Sequence, residues 1–227
     1  MKGRITMNQL INITCPVCEV ESNQPLIQYL NVAEHPEDKQ YLQNGEFFNF
    51  ECPNCGAQRQ IQSTFVYHDP DKKLMIFLVP NLDERLNEID DLLDKQVKQL
   101  DYDLSDYQLR LVSNSQELIE KIAIFDMNYD DQEVEVVKLL TDGLFAQEQP
   151  DLEIYGRYFS PSFDGAKIFY VTPDQQLMVD FKEDLLEFAK NKFGKQLSQD
   201  YTGHFVYVGR QWAMNILEKK PGDTPAE

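Results

Sequence analysis

The sequence contains no hydrophobic run of the roughly 18 residues that a membrane-spanning helix requires. Its first residues, Met1 to Met7, lead into no apolar segment of the kind found at the centre of a signal peptide. The sequence alone therefore predicts a cytoplasmic protein that does not enter a membrane.

Positive charge is also scarce, since 21 Lys and Arg residues accompany 39 Asp and Glu residues, for a formal net charge of −18. The imbalance is largest in residues 81–140, which hold 6 basic and 16 acidic residues (6 − 16 = −10). Proteins bind nucleic-acid phosphates through basic patches. The composition therefore disfavours a nucleic-acid partner.

Sequence motifs of catalysis are missing as well. The chain has no Gly-x-Ser-x-Gly, no phosphate-binding glycine loop, no His-Glu-x-x-His and no dinucleotide fingerprint. Its three histidines, His35, His68 and His204, are scattered among predicted loops and strands, where a surface or hydrogen-bonded role is commonest. The sequence indicates no catalytic residue and no residue that binds an organic cofactor.

The cysteines, in contrast, are few and concentrated. All four lie in two copies of one tetrapeptide, Cys15-Pro16-Val17-Cys18 and Cys52-Pro53-Asn54-Cys55. Two tight Cys-x-x-Cys turns can direct four thiolates to one centre, which is the ligand set of a structural tetrahedral zinc ion. We predict one structural zinc per chain, with Cys15, Cys18, Cys52 and Cys55 as its ligands.

The two copies differ in the residue that follows them. Gly56 follows the second copy and suits a left-handed turn, whereas Glu19 takes this place in the first copy and predicts a looser knuckle. The 33 residues between the pairs, 19–51, exceed the usual spacing of roughly 15 to 20. Doubling a loop costs only about 0.6 kcal/mol, whereas a structural zinc contributes about 10–16 kcal/mol in small peptides. The long spacing is therefore compatible with a shared metal.

Three other uses of the cysteines stay open at this point. A thioredoxin-like redox pair requires one Cys-x-x-Cys at a helix N-terminus, and neither copy precedes a strong helical pattern. Two disulfides would require an oxidising compartment, for which the sequence carries no signal. An iron–sulfur cluster is also held by four thiolates.

Short alternating segments around both motifs predict a zinc-ribbon-like β unit. Residues 10–14 enter the first motif as a strand and residues 46–51 enter the second, and a ribbon would pair these two strands. Residues 24–42 are predicted to be an inserted loop that ends in one or two helical turns. Further strands are predicted at 60–67 and at 73–79, and the latter is apolar throughout, so both of its faces should be buried.

A helical pattern follows Pro80. Apolar residues recur at steps of three and four and form one stripe, made by Leu82, Leu86, Ile89, Leu93, Val97 and Leu100. The first interpretation of this stripe is packing within its own domain. The second is a homodimer seam through the 82–100 helix.

The features described so far resemble the CpXC family, bacterial proteins named for this pair of motifs. The resemblance extends beyond the cysteines to residues 44–49, 67–70, 110–112 and 117–122, and covers residues 10 to about 140. It implies a four-Cys metal site and no particular activity.

The second half of the chain alternates between helical and strand patterns. Helices are predicted around residues 115–125 and 134–145, with a break at 128–131. A strand meander, a helix, a last strand and a closing helix should follow, at 152–159, 167–171, 176–181, 183–197, 204–208 and 211–217.

Two groups in this half allow a functional and a structural interpretation. Asp130, Asp131, Glu133 and Glu135 could form a cation or general-base cluster, but acidic residues are also favoured in a first helical turn. A set of aromatic and basic residues could line a ligand groove, although aromatic residues on a half-buried sheet are usually core; its members are Tyr155, Arg157, Tyr158, Tyr170, Tyr207 and Arg210. We favour the structural interpretation of both.

These patterns predict an α+β protein with an N-terminal zinc-ribbon-like β unit, a helical middle and a C-terminal antiparallel sheet with helices. The predicted limits are 1–80 for the ribbon domain, 81–147 for the acidic helical segment, 148–218 for the C-terminal part and 219–227 for a disordered tail. The predicted function is zinc binding at a structural site, without catalysis, in a protein that acts through protein contacts. The alternatives are an enzyme with a pocket between the ribbon and the C-terminal part, or a thiol redox protein.

Overall fold

The computed structural model describes residues 8–82, 102–197 and 200–218, together with Glu84, Ile89 and Leu93. It confirms the predicted α+β class. Most of the predicted 82–100 helix, with its homodimer seam, and the whole predicted tail at 219–227 lie outside the described residues. No helix among the described residues is both long enough and apolar enough to cross a membrane.

The chain forms two compact units. The first unit comprises Met1–Ile119 with Tyr201–Val206, and the second comprises Glu120–Asp200 with Tyr207–Glu227. The domain limits drawn from the sequence stay a prediction.

Two hairpins of the first unit carry the two cysteine motifs. In the first hairpin, β1 (Asn8–Thr14) pairs antiparallel with β2 (Glu21–Ile27). In the second, β4 (Asn49–Glu51) pairs antiparallel with β5 (Gln58–Gln60). The prediction that the two strands entering the motifs pair with each other was wrong. Each motif is itself the turn that reverses the chain, so each entering strand pairs with the strand that leaves the same motif.

The segment predicted as an inserted loop contains regular structure. After β2 it forms β3 (Tyr29–Asn31) and α1 (Pro36–Gln43). β3 is wholly buried, and α1 begins with a proline in its first turn followed by two acidic residues, an arrangement that favours a helix start. The helical turns predicted at the end of this segment are present as α1, whereas the prediction of a loop before them was wrong where β2 and β3 form.

A mixed sheet forms the centre of the first unit. Among the described residues its strand order is β12-β8-β7-β6-β3, where β6 is Phe65–Asp69, β7 is Leu74–Leu78, β8 is Gln108–Val112 and β12 is Phe205–Val206. β6 and β7 are antiparallel, and the other neighbouring strands are parallel. Every residue of β7 is buried, as its apolar run predicted.

The second unit is a helical layer on a three-stranded meander. α2 (Ser115–Asp126) crosses the division between the units at Ile119, and α3 (Asp131–Glu148) follows the left-handed residue Asn128 (φ 59°). The described strands are ordered β11-β10-β9 and antiparallel, as predicted, with limits Gly156–Ser162, Gly165–Val171 and Gln176–Asp180 for β9, β10 and β11. The last helices are α4 (Glu183–Leu197) and α5 (Arg210–Glu218).

The acidic residues at the start of α3 have internal partners. The Asp130 side chain accepts a hydrogen bond from the Gln132 amide and caps the helix. Asp131 is fully buried and lies 2.9 Å from the Lys121 ammonium, which also donates to the Val208 carbonyl at 2.8 Å. These contacts favour the structural interpretation of the cluster.

A buried charged network links α2, α3 and β9 in the second unit. The Lys138 ammonium lies 2.6 Å from Glu120 and 2.8 Å from Glu135. The Arg157 guanidinium lies 2.7 Å from Glu135 and 3.2 Å from Asp142. All five side chains are less than a tenth exposed. Burial raises the pKa of Glu120, whereas the pKa of Glu135 is lowered because Lys138 and Arg157 together outweigh its burial.

The network also accounts for part of the predicted aromatic and basic set. The Tyr170 hydroxyl donates to Asp142 at 3.1 Å, and both Tyr170 and Arg157 are buried. Tyr155, in contrast, is 65% exposed. The contacts of Tyr170 and Arg157 are therefore those of core residues.

Candidate metal centre

The two cysteine motifs fold into the same turn. In the first, the Cys15 amide donates to the Val20 carbonyl at 3.0 Å, and the Glu19 amide donates to the Cys15 carbonyl at 2.9 Å. The second motif repeats both bonds at 2.9 Å, from Cys52 to Ala57 and from Gly56 to Cys52. The repeated backbone geometry places each pair of cysteines at the tip of its own hairpin.

The two hairpin tips bring the four sulfurs together. The Sγ atoms of Cys15 and Cys55 are 3.6 Å apart, as are those of Cys18 and Cys52, and all four lie within 4.8 Å of one another. A disulfide would require a separation of about 2.05 Å. Tetrahedral thiolates at the usual Zn–S distance of about 2.3 Å lie about 3.8 Å apart. The cysteines are thus free thiols at the spacing of ligands to one metal ion.

The centre is buried on one side and open on the other. Cys15 and Cys52 are buried and pack with Ile13 and Phe50, whereas Cys18 is half-buried and Cys55 is exposed. The apolar contacts fix the positions of two ligands before any metal binds. The other two ligands face the solvent, from which a metal ion can enter.

Hydrogen bonds prepare the first motif for the thiolate form. The Asn54 side chain, followed by the Val20 amide, lowers the pKa of Cys18 to about 6. The amides of Cys18 and Val17 lower the pKa of Cys15. Because a metal ligand must be deprotonated, these bonds favour metal binding near neutral pH. The contribution of Asn54 could not be predicted, because its only signal in the sequence is an amide side chain between two cysteines.

Cys55 behaves differently in the absence of a cation. The Ala57 amide lowers its pKa, but the Cys18 side chain, burial and the other thiols outweigh this effect and raise the pKa to about 12. Four neighbouring thiols cannot all ionise without a compensating positive charge. The set therefore requires a metal cation to hold all four as thiolates.

The residue after each second cysteine provides a test of the knuckle geometry. Glu19 has φ 58° and Gly56 has φ 71°, so both occupy the left-handed region, in which an L side chain costs about 1–2 kcal/mol. We expect Glu19→Gly to raise the free energy of unfolding by about 0.5–1 kcal/mol, because the strain exceeds the backbone entropy that glycine loses on folding. Urea unfolding of the metal-loaded protein measures this change.

Gly56→Ala is the matched control in the other knuckle. No atom lies within 4 Å of a methyl group built at Gly56, so the substitution changes only backbone strain. It should lower the free energy of unfolding by about 1 kcal/mol. A Glu19→Gly variant no more stable than the wild type would show that the first knuckle is unstrained.

The geometry around the motifs is not that of a thioredoxin-like pair. Cys15 and Cys18 are followed by β2, and Cys52 and Cys55 by β5. Neither motif begins a helix, so neither thiolate has the helix N-terminus that activates such redox cysteines.

Among the described residues, the four cysteines form a group whose ligand atoms are close enough to hold one metal ion. None of the three histidines belongs to this group. His35 forms a separate group with Glu37 and Asp38 at the start of α1, where Glu37 is exposed. His204 is exposed, next to β12. His68, on β6, is fully buried, and its ring nitrogens lie 2.7 Å from the Tyr29 hydroxyl and 3.2 Å from the Tyr107 hydroxyl.

The buried imidazole of His68 makes stability depend on pH. Burial lowers its pKa to about 4, although Asp69 acts in the opposite direction. Since this value lies below the unfolded pKa of about 6.5, the stabilisation is complete above pH 6.5 and is lost as the pH falls towards 4. Between pH 7.5 and pH 5.0 this group alone should remove about 2 kcal/mol from the free energy of unfolding.

The test compares wild type with His68→Gln by urea unfolding at both pH values. The variant keeps a polar side chain that does not titrate, so the wild type should lose about 2 kcal/mol more than the variant on acidification. Equal losses in both proteins would show that His68 does not carry this dependence.

Comparison with known proteins identifies the family to which this chain is similar. The model of the family described as CpXC protein matches residues 13–138. A protein of Treponema pallidum (strain Nichols), named "Uncharacterized protein", is 38% identical over 53 residues, which cover 22% of this chain and 23% of that relative. No solved structure matches the chain. The family match covers more than half of the 227 residues and includes all four cysteines, so the chain belongs to the CpXC family.

Proposed function

We propose that the protein holds one structural zinc ion through Cys15, Cys18, Cys52 and Cys55 and acts, without catalysis, through contacts with other proteins in the cytoplasm. The observation that carries this proposal is the meeting of four free Sγ atoms within 4.8 Å of one another. Free thiols at this spacing require a reducing compartment to remain ligands, which supports the cytoplasm.

The spacing of the sulfurs favours a single ion over a cluster. In a [4Fe–4S] cluster each cysteine binds a different iron, and in a [2Fe–2S] cluster the two pairs of cysteines bind different irons. In both cases the sulfurs spread around several metal atoms, whereas here all four lie within 4.8 Å of one another. Separations of 3.6 Å suit two thiolates on the same ion. Zinc is the usual single ion in four-Cys sites built from paired Cys-x-x-Cys motifs.

The ligand set favours a structural role for that ion. Four protein thiolates complete a tetrahedron and leave no position for a water molecule or a substrate, whereas catalytic zinc has three protein ligands and an open position. The second hairpin is short, since β4 and β5 have three residues each, whereas β1 and β2 of the first have seven each. An isolated two-stranded hairpin is marginal in water at either length, so the ion would stabilise both.

Replacing the proposed zinc by Co²⁺ tests whether the metal has an open coordination position. Tetrahedral cobalt thiolates absorb strongly in the visible range, and this absorption changes when an outside ligand enters the coordination sphere. We expect a tetrahedral spectrum that does not respond to azide or imidazole. A spectrum that shifts with either ligand would show an open position and would support the enzyme alternative.

Affinity capture from source cells tests the protein contacts. The full chain with its metal is the bait, and the demetallated chain is the matched control. A partner that the metal-loaded chain captures, and that the demetallated chain captures in smaller amount, would support contacts made through the unit that the metal orders. Repeated capture without any partner, together with turnover of a substrate, would contradict it.

A further inference from the structure

In the meander of the second unit, the outer edge of β11 can form backbone hydrogen bonds with a further strand. The amide of Phe181 donates to the Ala166 carbonyl at 3.0 Å, and the Thr172 amide donates to the Gln175 carbonyl at 3.1 Å. Because hydrogen-bonded residues alternate along an antiparallel strand, the odd-numbered residues of β11 direct their backbone groups towards β10. The backbone N–H and C=O groups of Gln176, Met178 and Asp180 therefore point to the opposite edge, where no described strand pairs with β11.

A groove of mixed character lies along this edge, with a volume of about 350 Å³. Its apolar lining comes from Met178 and Val179 of β11, Leu144 and Phe145 of α3, and Leu185 of α4, and its polar lining comes from Thr141, Glu148, Asp180 and Lys182. Leu144 is 45% exposed and Met178 is 65% exposed. An added strand would find backbone partners on β11 and apolar partners on the helices, the combination used in recognition by strand addition.

The two edges of the meander differ in protection. β9 carries Pro161, which has no N–H to donate and blocks pairing. β11 carries no proline, and the centre of its exposed face is Met178. Met178 also continues a row across the outer face, since it lies opposite Phe169, which lies opposite Tyr158. The exposed residues of β11 are Gln176, Met178 and Asp180, so the edge has an apolar centre between two polar residues and no proline to block pairing, which leaves it open to a further strand.

We propose that two copies of the chain pair through β11, antiparallel and centred on Met178. In this register Met178 faces its own copy, Gln176 faces Asp180 and Leu177 faces Val179. The six outward backbone groups of each strand then meet their complements, because hydrogen-bonded positions face hydrogen-bonded positions. The row of Tyr158, Phe169 and Met178 becomes continuous across the two copies.

Charge complementarity favours a second copy over an unrelated segment. Lys182 lies just after β11, and Asp174 lies in the turn just before it. In the same register, Lys182 of one copy lies beside Asp174 of the other copy, and the two-fold symmetry of the dimer gives a second pair of this kind. Two opposite-charge pairs thus lie at the ends of the paired strands. They offset locally the repulsion between two chains that each carry a net charge of −18.

Sedimentation velocity of the full metal-loaded chain tests the pairing. We expect a concentration-dependent species of twice the 26.5 kDa chain mass. Met178→Pro removes an N–H that points away from β10 and pairs with no described strand, so it should weaken the dimer by at least about tenfold. Circular dichroism and thermal unfolding should stay unchanged at concentrations where both proteins are monomeric. Met178→Val keeps the N–H and should still form the dimer. A chain that sediments as a monomer up to the highest soluble concentration would overturn the proposal.

A charge exchange tests the register. Lys182→Asp and Asp174→Lys should each weaken the dimer, because each places two like charges together, and the double variant should restore it. A dimer insensitive to Met178→Pro, or a double variant weaker than both single variants, would contradict pairing through β11. The result is independent of the metal proposal, since metal content and thiol counts are read on the same samples.

Discussion

Replacing Cys52 by Ser is expected to unfold both cysteine-bearing hairpins, because the proposed zinc stabilises them. The substitution removes one of the two buried cysteines of the proposed site, and a three-thiolate site binds zinc far more weakly. A structural zinc contributes about 10–16 kcal/mol in small peptides, whereas the net stability of a whole domain is about 5–15 kcal/mol. The loss therefore exceeds what the short strands β4 and β5 could supply by themselves.

Limited proteolysis with mass spectrometry of the fragments measures this outcome. Cleavage should concentrate in the two hairpins, residues 8–27 and 49–60, in Cys52→Ser. The second unit should stay protected, because the described residues of its core cluster all belong to that unit. Val17→Ser is the matched control, since Val17 lies between two ligands and is 71% exposed. Wild-type protection of the hairpins in Cys52→Ser would refute a structural role for the metal.

Replacing Lys138 by Met is expected to destabilise the second unit by about 3–5 kcal/mol, because it leaves buried carboxylates without their shared cation. Glu120 loses its ammonium partner at 2.6 Å, and Glu135 keeps only Arg157. Glu120 also accepts a hydrogen bond from the Phe159 amide at 2.5 Å, so the carboxylate is fixed in place and cannot turn to water. Urea unfolding followed by far-UV circular dichroism measures the loss.

A combined variant separates charge from packing. Lys138→Met with Glu120→Gln and Glu135→Gln removes the buried carboxylates that lose their cation and should recover much of the stability. In Lys138→Met alone the folded pKa of Glu120 rises further above its unfolded value, so the defect should shrink as the pH falls. A triple variant as unstable as Lys138→Met would show that the unpaired carboxylates of Glu120 and Glu135 do not cause the loss.

The clustering of the four cysteines and most of the described helices could be predicted from the sequence because their signals are local. Cys15 to Cys18 is a complete turn within four residues, and the apolar period of residues 183–197 fixes α4 without reference to the rest of the chain. The meander β9 to β11 likewise shows its turns and its alternation.

The pairing of strands could not be predicted in the same way. β1 was expected to pair with the strand entering the second motif, because the sequence does not show that each motif closes its own hairpin. No strand was predicted at β8, because the buried Arg110 interrupts its apolar residues. Residues 204–208 were grouped with the C-terminal part, yet β12 pairs with β8 of the first unit, a contact across about a hundred residues.

The buried charged network could not be predicted from the sequence, for a related reason. In the sequence, Glu120, Glu135 and Lys138 have the spacing of residues on an exposed helix face. In the folded second unit they are buried, and Glu135 pairs with Arg157 of β9. Their sequence signal is the same as that of a solvated helix face. Burial of charge is a tertiary property that periodicity cannot report.

Metal content by mass spectrometry, on protein purified without chelator or affinity tag, tests the central claim most directly. Thiols are counted before and after metal release. We predict one zinc per chain and four thiols that react only after release, one each from Cys15, Cys18, Cys52 and Cys55. Protein without metal whose cysteines form two disulfides, or whose thiols titrate freely from the start, would contradict a structural metal centre.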